Sequence, residues 1–104
     1  MFEKDLSLSL LYDLYGSLLT PKKREAFEAY YLSDLSLAEI AEETGTSRQA
    51  VRDLVARASR DLAAFEEELS LLKKKRELAR LVDLLETGSE EQRAAAIEEI
   101  REIL

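Results

Sequence analysis

Three glycines and one proline in 104 residues leave this chain few places to turn. Between those sparse breaks the apolar residues recur at three and four: Val51, Leu54, Val55, Ala58, Leu62, Phe65, Leu69 and Leu72 make one continuous stripe. That period is the signature of a helix surface, whereas a half-buried strand needs alternation at two, which is confined here to one short run near Leu6. The expected fold class is therefore all-α. Hydrophobic residues make up 46% of the chain, enough for one packed core at this length.

Start and stop signals divide the chain. Leu8, Leu11, Tyr12, Tyr15, Leu18 and Leu19 share one face of a first helix over about 5–18. Thr20 then offers a hydroxyl to orphan amides and Pro21 a residue that needs no N–H, which starts a second helix over about 21–32 that buries Phe27, Tyr30 and Tyr31. Ser36 and Glu39 have capping-box spacing for a helix over 37–44, with Gly45 placed for a left-handed turn and Ser47 as the next cap. Past Leu72 the apolar phase slips by one residue, to Leu78, Val82 and Leu85. This favours a break near Ser70 over one helix reaching residue 86. Gly88 closes that segment, and Ser89 with Gln92 opens the last helix. The chain divides into residues 1–69, with a helix-turn-helix at about 36–60, and C-terminal helices over 70–104 that serve dimerisation or packing.

The chain has neither cysteine nor histidine, which removes disulfides, thiolate or imidazole metal sites and the usual activated nucleophiles. A non-enzyme without cofactor or metal is expected. No apolar run reaches the length of about 18 residues that a membrane span needs, and the N-terminal stretch carries acids where a leader would be basic, so a cytoplasmic protein without membrane contact is expected. Net charge is -7, but it is unevenly spread: residues 45–65 hold four basic and two acidic side chains and are the one net-positive block.

That block carries the functional candidates. Ala41 is small where two helices would cross, Gly45 permits a tight turn, and Ile40, Val51 and Leu54 fill the corner. With Ser47 as cap, the exposed early positions of the following helix are Arg48, Gln49 and Arg52. Arginine and glutamine are the side chains that bond guanine and adenine edges. Ser47, the amides beside it and Arg57 are placed for phosphates, while Asp53 sets a negative charge among them. The blander reading is a packed helical corner whose arginines pair with nearby carboxylates. A single such unit with a handful of basic contacts binds weakly, so two half-sites and a homodimer are expected, built on helices four to six.

The words "YGSLLTPKKR", "YYLSDLSLAEIAEETGTSRQAV" and "FEEEL" resemble the YlxM family of small bacterial helix-turn-helix proteins, whose motif is similar to region 4 of sigma factors. The resemblance implies a sigma-region-4-like helix-turn-helix bundle with an extended C-terminal helical segment, in a dimer. It further implies a regulatory role in the signal recognition particle pathway, a placement drawn from neighbouring genes, with DNA, the particle RNA or a particle protein as partner. By matching position the base-reading sites fall on Arg48, Gln49, Arg52 and Asp53, with Lys22 and Lys23 as phosphate contacts. The alternative is a protein or RNA interaction module for the particle without sequence-specific DNA binding.

Other clusters read more plainly. The glutamates near 66–68 and 90–102 lack the wrapped loop of a hard-cation site and fit a solvated face. Tyr12, Tyr15, Tyr30 and Tyr31 sit at helical spacing among leucines, as core and edge residues rather than a base-stacking platform. Lys73, Lys74, Lys75 and Arg76 form a basic patch that is too short to name an RNA or lipid partner.

Overall fold

The structure, a computed structural model, describes residues 6–104, so the expected helix start at residue 5 falls outside it. Six α-helices, and no strand among the described residues, follow one another: α1 (Leu6–Tyr15), α2 (Pro21–Phe27), α3 (Leu37–Thr44), α4 (Arg48–Leu69), α5 (Leu71–Thr87) and α6 (Glu90–Ile103). The fold is all-α. Two compact units are present, the described residues up to Leu69 and residues 70–104, rather than the single core that the length suggests.

In the first unit, α1 ends early in a 3-10 turn (Gly16–Leu18). A Cβ on Gly16 would lie 2.7 Å from the Tyr12 ring, so this aromatic occupies the space that any larger residue would need. Leu11, Tyr15 and Leu19 are buried, but Leu18 is 56% exposed because the tighter turn rotates it off the face it was expected to share. Pro21 begins α2 as expected; the Thr20 hydroxyl, however, caps nothing, and only its carbonyl engages, accepting the Arg24 N–H at 2.9 Å. Beyond Phe27 the helix widens into a π-turn (Glu28–Leu32) instead of continuing as α to residue 32. Tyr30 goes into the core with Ile40, Ala41, Val51 and Val55, while Tyr31 stays half-buried, stacked on Phe27 at 4.5 Å.

The local signals around α3 and α4 are realised atom by atom. Ser36 Oγ accepts the Glu39 N–H at 3.0 Å and Glu39 Oε1 accepts the Ser36 N–H at 3.1 Å, so each satisfies an orphan donor of the helix end. Gly45 takes φ 69° and ψ 26°, a conformation that side chains with a Cβ adopt at a cost. The Thr46 N–H then returns to the Ala41 carbonyl at 3.0 Å, and Ser47 Oγ accepts the Ala50 N–H at 3.0 Å to open α4. α4 is the spine of the unit, packing against α1, α2 and α3 with Val51, Val55, Ala58 and Leu62 fully buried.

α4 stops at Leu69, where Ser70 turns to φ 56° and ψ 30°, and a single helix to residue 86 does not form. In the second unit α5 and α6 pack on one another, and Leu81 and Ala96 are buried. Arg80 joins Glu99 at 2.8 Å between them. Ser89 and Gln92 form the second reciprocal cap, at 2.9 and 3.2 Å. No described helix is long and apolar enough to cross a membrane.

Tyr12 ties α1 to α2: its ring stacks on Phe27 at 4.9 Å and its hydroxyl donates to Glu28. Burial, then the bond and charge of Glu28, push its pKa from 10.0 up to about 12. The folded-state value is raised, so this contribution to stability is full below pH 10 and is lost as pH rises through 12. Urea unfolding followed across that window should show a falling midpoint in the wild type and a smaller fall in Tyr12→Phe.

Candidate nucleic-acid interface

The turn between α3 and α4 sets where the first side chains of α4 point. Arg48, Gln49 and Arg52 line one open cleft of about 380 Å³, together with Ser36, Leu37 and Ala38 from the start of α3. Two guanidinium groups and an amide thus share a hollow with the amino end of a neighbouring helix, where backbone amides favour negative groups. All three α4 side chains are exposed, as are Asp53, Arg57 and Arg60.

At about 100° per residue, Gln49 and Asp53 stand opposite the buried stripe of Val51, Val55, Ala58 and Leu62. Arg52 lies about 80° to one side of that outward line and Arg48 about 120°, toward the start of α3, while Arg57 lies about 40° beyond Asp53 on the other side. Arg60 returns to the outward line, about 18 Å along the axis from Arg48 at 1.5 Å per residue. It was not among the candidate contacts, although its seven-residue step from Asp53 was a usable signal. The resulting surface is a ridge of four arginines with one acid at its centre. That acid is engaged locally: Gln49 Nε2 donates to Asp53 Oδ1 at 2.9 Å.

The structure places the remaining candidates apart from this cleft. Ser47 is the α4 cap, with its oxygen committed to Ala50. Lys22 lines a second hollow of about 430 Å³, floored by Ala26, Ile40, Val51 and Leu54, with Glu25 and Glu43 on its rim. Lys23 is held by Asp61 of α4 at 2.8 Å, a half-exposed ion pair that links the start of α2 to the spine. The two adjacent lysines therefore have different surroundings, which adjacency in sequence did not reveal.

Comparison with known proteins agrees with a helix-turn-helix. A family model described as "Putative helix-turn-helix protein, YlxM / p13 like" (UPF0122) matches residues 2–103. A UPF0122 protein of Thermoanaerobacter sp. (strain X514) is 49% identical over 85 residues, covering 82% of this chain and 73% of that one. One from Geobacillus kaustophilus (strain HTA426) is 39% identical over 109 residues, covering 99% of each chain. Another from Bacillus cereus (strain AH187) is 51% identical over 82 residues, or 79% of this chain and 74% of that protein.

For a chain that binds a polyanion through the start of α2, the Lys23–Asp61 pair sets a measurable consequence. Asp61→Asn should release one ammonium group and steepen the dependence of log affinity on log salt by about 0.9, the increment for one added phosphate contact. Titration of a labelled duplex at several salt concentrations reads that slope.

Proposed function

The chain belongs to UPF0122, the YlxM / p13-like helix-turn-helix family, and from that premise we propose that it is a non-catalytic regulator that binds DNA through the start of α4. The observation that supports this is the convergence of Arg48, Gln49 and Arg52 in one cleft beside the start of α3. In this reading Arg48, Gln49 and Arg52 meet base edges, and Ser47, Arg57 and Lys22 meet phosphates, with Lys23 joining them only when it leaves Asp61. The regulator acts in the cytoplasm, within the signal recognition particle pathway.

A homodimer completes the proposal. One motif supplies few phosphate contacts, and two copies supply two half-sites. The α5–α6 pair leaves Leu71, Val82 and Ile97 41%, 46% and 43% exposed, which supports this pair as the surface for the second copy.

A second reading is favoured by the exposed basic run Lys73–Arg76 at the start of α5. In it the chain contacts the particle RNA or a particle protein and has no DNA sequence preference.

Selection from random duplexes at low salt tests the first reading. A wild-type motif should emerge, and Arg48→Ala or Arg52→Ala should weaken it by about 1–3 kcal/mol and relax the base opposite. Failure to enrich any duplex, with binding to the particle RNA at the same salt, would move the function to the second reading. For the dimer, sedimentation should show two copies for the wild type and one for Val82→Glu combined with Ile97→Glu, with duplex affinity reduced in parallel.

A further inference from the structure

The acid in the middle of the ridge has a use that its charge conceals. We propose that Asp53 is a positioning residue that fixes the Gln49 amide so that α4 prefers bases carrying an amino group in the major groove, an inference that rests on the DNA reading above.

The chemistry follows from the hydrogen bond. A carboxylate only accepts, so the end of the Gln49 amide that meets Asp53 Oδ1 at 2.9 Å is its NH₂. The carbonyl Oε1 is thereby turned away from Asp53, and one orientation of an otherwise reversible amide is selected. Both side chains are exposed and stand opposite the buried stripe of α4, on the line that faces outward between Arg52 and Arg57. Asp53 also retains a second carboxylate oxygen. The centre of the ridge therefore presents Gln49 Oε1 and, beside it, Asp53 Oδ2 as acceptors, with the second Nε2 hydrogen of Gln49 as the one remaining donor of the pair.

Adenine N6 and cytosine N4 offer donors in the major groove, whereas guanine O6 and thymine O4 offer acceptors. Paired acceptors bond the first two and repel the last two. The arginines on either side remain donors suited to guanine, so neighbouring positions of the site should differ in the kind of base they take. On this account the acid does more than weaken phosphate binding. It trades affinity for discrimination at the position that Gln49 and Asp53 face.

Parallel selections from random duplexes with the full chain and with Asp53→Asn, Asp53→Ala and Asp53→Glu test this. All four should keep the same helical circular dichroism, because the side chain is exposed. The wild type should favour adenine or cytosine over guanine or thymine at one position by about tenfold, within the range of a good base-edge contact. Asp53→Asn, whose amide can meet either end of Gln49, and Asp53→Ala should bind all duplexes more tightly yet lose that preference. Asp53→Glu, which remains acceptor-only, should keep it. If the variants gain affinity while the preferred base is unchanged, Asp53 acts by charge alone and the inference falls while the DNA reading stands. If none of the four proteins enriches any duplex, the DNA reading falls and takes the inference with it.

Discussion

The first unit depends on the stripe that α4 buries. Val51, Val55, Ala58 and Leu62 are each 1% exposed or less, and α1, α2 and α3 all pack against the helix that carries them. Full burial of a side chain such as valine or leucine stabilises by about 1.5–3 kcal/mol, so these positions outweigh any single cap or surface pair in the unit. The stripe also decides the other face. Once it is fixed in the core, the helical period leaves Gln49, Asp53 and Arg60 no direction but outward. The candidate interface is thus a by-product of core packing, and a change that rotated α4 would move every candidate contact together.

The parts that sequence could reveal are those whose causes lie within about four residues. The caps at Ser36–Glu39 and Ser89–Gln92, the left-handed Gly45 and the Ser47 cap depend on near neighbours, and each is present. The interruption at Ser70 was legible for a related reason, since a one-residue slip of the apolar phase cannot keep one straight helix facing one core. Features with distant causes were not legible. The π-turn at 28–32 carries Tyr30, which packs with Ile40 and Ala41 of α3 and Val51 and Val55 of α4. Lys23 meets Asp61 across 38 residues of chain. Tyr15 likewise reaches Glu66, at 2.7 Å. That bond gives one of the glutamates after the ridge a structural partner. The early end of α1 is an exception, since the Tyr12 ring beside Gly16 is a near neighbour that the apolar pattern alone does not flag.

The Gln49–Asp53 contact is different, because a four-residue step on a helix was always open to inspection. In the sequence the charge of Asp53 masks it. A side chain on a recognition helix acts on DNA in two ways, by its field and by the hydrogen-bonding pattern it imposes on neighbours. Only coordinates separate these, because the second depends on which atom of the amide is turned to the carboxylate.

The same distinction resolves how an acidic chain carries a basic ridge. The Debye length is about 8 Å at physiological salt, while the ridge from Arg48 to Arg60 runs for about 18 Å. Successive arginines there stand about 4.5–7.5 Å apart along the axis, within one Debye length, so they act together on a nearby phosphate while acids farther away are screened. As salt falls, the local attraction of the ridge to phosphates grows, but so does the repulsion of a body with net charge -7. The two changes oppose one another for a protein that binds DNA through this face. Its affinity should therefore flatten at low salt, where a uniformly basic protein's would keep climbing. The discrimination proposed for the centre of the ridge would rest on contacts at hydrogen-bond distance, and so would be largely insensitive to that long-range balance.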